Sequence, residues 1–178
     1  NLLTPLLTIF VTGILTFTAV GPITRAVGNL LTDGLIWLYD TTGFIGGAVF
    51  GLVYAPIVIT GMHHSFIAVE TQLLTDMAKT GGSFVFVIAA MSNVAQGAAT
   101  LAVLLVTRDA KLKGTASAAG ISALLGITEP AMFGINLKLR YPFIGAISGA
   151  AVASAFVTWY KVKAVALGAA GLPGIISI

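Results

Sequence analysis

The sequence predicts an all-α integral membrane protein, a polytopic helical bundle with a helix broken at membrane depth. Three observations carry this prediction. Charged residues make up 8% of the 178 and hydrophobic ones 57%, whereas roughly a quarter of an ordinary soluble domain is charged. Stretches 41–69, 80–107, 114–128 and 141–160 hold no Asp, Glu, Lys or Arg, and each approaches or exceeds the ~18–20 apolar residues that span a bilayer. Finally, "GITEP" (126–130) sets Glu129 directly before Pro130 inside an apolar run.

The remaining composition narrows the function. A net charge of +3, scattered along the chain, leaves no footprint for nucleic acid. The absence of cysteine excludes disulfides, thiolate metal sites and cysteine nucleophiles within these residues. The chain opens "NLLTPLLT" with no signal-peptide pattern and stops within "GAAGLPGIISI". It therefore reads as a fragment of a longer membrane protein, residues 1–178 forming one piece of a transmembrane domain.

Taken in order, 2–20 is a first spanning candidate, with Pro5 tolerable in an opening helical turn. The next stretch carries Arg25, Asp33 and Asp40 with Trp37 and Tyr39 among them. Aromatic rings with a polar edge suit a membrane interface, so a short interfacial or partly inserted helix is expected. Stretch 43–60 is the next span, and Gly47 and Gly51 in it form a small-xxx-small pair suited to close helix approach. Phe66, Val69, Leu73 and Met77 then recur at helical spacing, an amphipathic pattern ended by Gly81 and Gly82. A helix over 83–107 would be roughly 37 Å long at 1.5 Å per residue, more than the ~30 Å hydrocarbon core. It is expected to tilt, break or form two pieces. Asn93, Gln96 and Thr100 give it one polar stripe, which serves interhelical hydrogen bonding or lines a wet cavity. "RDAKLK" (108–113), with three basic residues in six, is expected to be cytoplasmic.

Glu129 is the centre of the chemistry. Proline disfavours the α conformation in the residue before it and lacks an N–H, so the arriving helix should stop near Ile127. The chain turns at Thr128-Glu129-Pro130 and continues through "AMFGINLKL". Non-helical backbone at membrane depth survives only against protein or a water-filled cavity, and broken-helix tips are where many transporters bind substrate. A carboxylate there can accept several hydroxyl hydrogen bonds, which suits an uncharged, hydroxyl-rich sugar. Asn136 can add an amide. The competing reading is a structural ion pair with Lys138, Arg140 or Arg108. His63 and His64 form the second feature. In an unbroken helix from Met62 their rings would diverge by about 100°, and His63, Ile67, Glu70 and Leu74 would share a face. His63 would then be oriented loosely by Glu70, or would be a structural histidine bonded within the bundle. The pair has too few ligands at the wrong spacing for zinc, so neither metal nor cofactor is expected.

Together "GMHHSFIAVETQLL" and "GITEPAMFGINLKLRYPF", with "KTGGSF", "NVAQGAATLAV" and "GAAGLPGI", resemble the enzyme IIC domain of the bacterial phosphoenolpyruvate:sugar phosphotransferase system. The likeness covers almost the whole chain and lies in the glucose superfamily, in its sucrose/β-glucoside/trehalose branch. The resemblance implies a multi-pass permease of the bacterial cytoplasmic (inner) membrane. It implies a homodimer in which a transport domain with two re-entrant hairpins carries the sugar by an elevator-type motion. It also implies that Glu129 and His63 contact sugar hydroxyls. His64 stands where relatives can carry another polar residue, and Thr128 shares the Glu129 loop. Asn136, Gln96 and Asn93 complete the candidate substrate-binding residues. The implied substrate is a disaccharide, sucrose before trehalose. The implied partners are enzyme IIB, whose phosphocysteine is the donor, and through it enzyme IIA. These residues lack that cysteine, so the segment has no catalytic residue of its own although the intact enzyme II is a transferase. Two other classes fit the residues: a proton-coupled sugar transporter with Glu129 and His63 as a relay, and a purely structural membrane subunit.

Overall fold

The computed structural model describes residues 3–178, apart from several side chains between 24 and 40. α1 (Leu3–Leu15) passes through a π-helical turn (Thr16–Val20) directly into α2 (Gly21–Thr42). The helix expected here as short is longer: α2 has 22 residues and is continuous with the first span. Pro22 does not interrupt it, because it follows directly on the π turn, whose wider backbone spacing accommodates the proline ring and its missing N–H. The expectation for Arg25 and Asp40 lies outside the described residues, but Tyr39 stacks on Phe84 with ring centroids 4.3 Å apart. Gly43, at φ 55°, ends α2 and lets the chain reverse into α3 (Phe44–Ile59).

Two helix–turn–helix hairpins follow, separated by one long helix. The first joins α3 through residues 60–63 to α4 (His64–Thr75), with a short α5 (Met77–Thr80) after it. Phe66, Val69 and Leu73 are buried, as their spacing requires. Met77 lies beyond a break at Asp76, earlier than the glycine pair. α6 (Phe84–Val106) is a single unbroken helix of 23 residues. It neither breaks nor splits, because Ser83 caps its start by accepting the Phe86 N–H (3.2 Å) and its first two turns lie wholly inside protein. The second hairpin joins α7 (Ala110–Leu124) to α8 (Glu129–Ala131), a π turn (Met132–Asn136) and α9 (Leu137–Leu139). α10 (Tyr141–Trp159) and a closing segment with a 3-10 turn (Leu172–Ser177) complete the chain.

The hairpins enter from opposite ends of α6. A Cβ on Gly47 would sit 2.8 Å from the Ser154 carbonyl oxygen, and one on Gly51 2.6 Å from that of Ala150. The small-xxx-small pair therefore brings α3 against the last turns of α10, whose end lies beside Ser83 through the Ser83–Ala164 bridge. Hairpin 1 has its base at the Ser83 end. α7 instead leaves the other end of α6 and runs back along it, with Gly97 against Leu124 and Gly120 against Leu101. Alanines 116, 119, 123 and 131 line the inside of hairpin 2 and permit this close approach. Its turn lies level with Asn93 and Gly97, near the middle of α6. Under hairpin 1 the core is aromatic: Phe50, Tyr54 and Phe66 have centroids 5.7–6.0 Å apart.

Among the described residues three helical stretches are long and apolar enough to cross a membrane, Leu3–Ile23, Phe84–Val106 and Tyr141–Trp159. Arg108, Lys111, Lys113, Lys138 and Arg140 gather at the hairpin 2 base, whereas Lys79, Lys161 and Lys163 flank the other end. Asp109 caps α7 by accepting the Lys111 N–H (2.8 Å), which leaves Lys111 exposed on the first turn. By the basic-residue bias of cytoplasmic loops, Lys111→Cys should be labelled by an impermeant thiol reagent only in opened cells. Labelling in intact cells would invert the topology.

Candidate functional site

Each hairpin puts a polar cluster at its tip. In hairpin 1 the turn after Ile59 makes His63 the cap of α4, in αR conformation. The two rings do not diverge as an interior helix would dictate, because His63 belongs to the turn. Their centroids lie 4.1 Å apart. His64 is exposed, with Nδ1 3.1 Å from the Gly61 carbonyl. His63 is half-buried; its Nδ1 is buried, and the backbone of Val58 lies within hydrogen-bonding range of its ring.

In hairpin 2, α7 ends at Leu124, and Gly126 at φ 104° reverses the chain. Ser122 clamps the turn twice: its Oγ donates to the Ile127 carbonyl (3.0 Å), and the Ile127 N–H donates to the Ser122 carbonyl (3.0 Å). Thr128 is buried at the turn, and Glu129 opens the return helix with Pro130 in its first turn. Glu129 itself is exposed and makes no ion pair with Lys138, Arg140 or Arg108. The Glu129 carboxylate lies within electrostatic reach of the His63 ring. Glu70 does not take that place. It is buried on α4 and acts on Tyr54.

The polar stripe of α6 is used in two ways. Asn136, fully buried, donates through Nδ2 to Gln96 Oε1 (2.7 Å) and to the Gln96 carbonyl (3.0 Å). Its Oδ1 accepts from Thr100 Oγ1 (3.0 Å). Three of the four bonding capacities of that amide are thus spent between α6 and hairpin 2. Sugar contact through Asn136 would require these bonds to be exchanged. Gln96 Nε2 is buried without a partner. Asn93 donates to the backbone carbonyl of Ala170 in the closing segment. Sequence reasoning did not connect 164–178 to the tips, and the glycines of "GAAGLPG" were the available signal.

An open groove of about 530 Å³ between α6 and α10 is lined by Ala95, Ala98, Ala99, Ala102, Gly145 and Gly149 among others. No polar side chain lines it, so a sugar would lose its hydration there without replacement. The hairpin tips are the better candidate.

The family profile "Phosphotransferase system, EIIC" matches residues 1–174. This chain is a member of the phosphotransferase system EIIC family. It is 71% identical over 178 residues to a PTS system sucrose-specific EIIBC component of Vibrio alginolyticus, which covers all of this chain and 37% of that protein. It is 68% identical over 179 residues to the sucrose-specific EIIBC component of Staphylococcus xylosus, again covering all of this chain and 37% of the relative. A trehalose-specific EIIBC component of Bacillus subtilis is 46% identical over 172 residues, covering 97% of this chain and 36% of the relative. The EIIC segment thus spans little more than a third of the relatives it matches. No solved structure matches it. EIIC domains are polytopic membrane domains, in agreement with the all-helical architecture and its spanning stretches.

Proposed function

We propose that this EIIC segment binds a disaccharide, sucrose ahead of trehalose, between its hairpin tips and carries it across the bacterial cytoplasmic membrane. The observation that carries this reading is that Glu129 and His63 stand at the turns of hairpins entering from opposite ends, the carboxylate within electrostatic reach of the imidazole. Oppositely inserted broken helices with polar tips are a recurrent way to build a substrate site at mid-membrane. In this reading α3–α4 and α7–α9 are re-entrant hairpins. Glu129 accepts sugar hydroxyls, Thr128 supports the loop, and the half-buried His63 imidazole supplies a second hydrogen-bonding group. The intact protein works as a homodimer with an elevator-type transport domain. It presents the sugar at the cytoplasmic face to the enzyme IIB phosphocysteine, itself charged by enzyme IIA. The sucrose-specific names of the relatives at 71% and 68% identity support the choice of sugar.

The test is sucrose and trehalose binding side by side on the full-length permease, with His63→Ala and His64→Ala. Sucrose should bind more tightly. His63→Ala should weaken it roughly several-fold to tenfold, the worth of one net hydrogen bond of ~0.5–1.5 kcal/mol. His64→Ala, whose ring is exposed and engaged with Gly61, should do less. Equal losses would misplace the site. Uptake abolished by a protonophore and indifferent to phosphoenolpyruvate would assign the tips to a proton relay instead.

A further inference from the structure

The closing segment 164–178 has no role in the reading above, yet its backbone reaches the hairpin 2 tip. It starts beside the first turn of α6, where the Ser83 N–H donates to the Ala164 carbonyl (2.8 Å) and the Ala164 N–H to that of Ser83 (2.9 Å). The Val165 N–H donates to the Ser177 carbonyl (2.7 Å), so the segment closes on itself as a loop. Gly174 packs on Phe86 of the same α6 turn. From this anchored base the loop runs to the level of Asn93, which holds it through the Ala170 carbonyl. There it touches the turn just ahead of Glu129. A Cβ on Gly171 would overlap the Leu124 carbonyl oxygen and stand 2.7 Å from the Gly126 nitrogen. A Cβ on Gly126 would stand 3.1 Å from the Ala170 nitrogen.

We propose that the Ala169–Gly171 loop, hooked by Asn93, is a strut that positions the Glu129 tip, with Gly171 and Asn93 as its positioning residues. This rests on the sugar-site reading given above. Three features support it. The contact is backbone against backbone, which cannot yield by a rotamer change. Gly171 has φ −161°, extended backbone open to any residue, so its obstruction is steric and not conformational. Ser122 ties Leu124–Ile127 into one clamped turn, so a displacement there is passed to Thr128 and Glu129. The strut also joins the hairpin 2 tip to the Ser83 end of α6, the end opposite the hairpin's own base.

The experiment measures equilibrium sucrose and trehalose binding and thermal stability of the full-length permease. The variants are Gly171→Ala, Asn93→Ala, Glu129→Gln and the Gly171→Ala/Glu129→Gln pair. Gly145→Ala is the neutral control, because nothing lies within 4 Å of its added Cβ. Gly171→Ala should lower affinity about ten- to a hundredfold, the worth of one hydrogen bond to a charged acceptor. Asn93→Ala, which adds no bulk, should lower it a few-fold and decides the matter if Gly171→Ala does not fold. The mark of positioning is non-additivity: in the Glu129→Gln background, Gly171→Ala should cost almost nothing further. A full additional loss in the pair, or normal binding by both single variants, would overturn the strut. Normal binding by Glu129→Gln would instead overturn the site reading on which it rests.

Discussion

Glu129→Gln is expected to lower sucrose affinity by roughly one to two orders of magnitude while leaving the fold intact. Hydrogen bonds to a charged acceptor contribute ~1.5–3 kcal/mol each, and a factor of ten in affinity is about 1.4 kcal/mol. The amide keeps the shape of the side chain but turns one acceptor oxygen into a donor and removes the charge. Keeping a carboxylate at bilayer depth costs on the order of 2.5–3.5 kcal/mol by insertion scales. Here no ion pair offsets that cost, because Glu129 is exposed and unpaired with the nearby cations. Removing the charge should therefore not weaken the bundle. Binding and uptake, with detergent-solubilised yield as the control, check this. Near-normal binding would deny Glu129 the sugar. A fall in yield together with binding would return it to a structural role.

Asn136→Leu should do the reverse, reducing stability by about 2–4 kcal/mol with little effect on the affinity of the molecules that remain folded. Its side chain makes three hydrogen bonds at zero exposure. At the ~0.6 kcal/mol average measured for polar pairs inside membrane proteins, these come to about 2 kcal/mol. The buried Gln96 Oε1, left without a donor, adds about 1–2 kcal/mol more. The readout is heat-induced loss of monodisperse protein, compared with sucrose affinity on the surviving fraction. Unchanged stability with lost binding would make Asn136 a sugar ligand after all, as its distance in sequence from Glu129 first suggested.

The contrast between these two residues shows where sequence reading reached its limit. Both are polar groups in an apolar stretch, and spacing alone offers each the same site. Only packing separates them. The π turn over Met132–Asn136 turns Ala131, Met132, Ile135 and Asn136 inward together, and Asn136 meets Gln96 and Thr100. The histidine pair differs for a similar local reason. The 100° separation belongs to a helix interior, whereas His63 lies in the turn and its ring settles 4.1 Å from that of His64. For α2, scattered polar residues predict a short helix, but none of them ends it before Gly43, and α2 continues α1 without a break.

The sequence by itself determined the class, three of the spans and the presence of a break near "GITEP". Stretch 43–60, expected to span, is a 16-residue helix. The arriving helix ends at Leu124 with Gly126 reversing the chain, ahead of the proline expected to stop it. A chain so poor in charge is suited to lipid rather than water. Class, spans and break rest on local or compositional constraints, so no contact between distant residues was needed to read them. Tertiary structure alone decided which polar groups face one another. It set the hairpins in from opposite ends of α6, put His63 within electrostatic reach of Glu129, committed Asn136 to Gln96 and Thr100, and laid Gly171 against the turn before Glu129. The reason is physical. Helical periodicity states which face a residue occupies, but its partner is chosen by the close approach of other helices, through small residues such as Gly47, Gly51, Gly97 and Gly120.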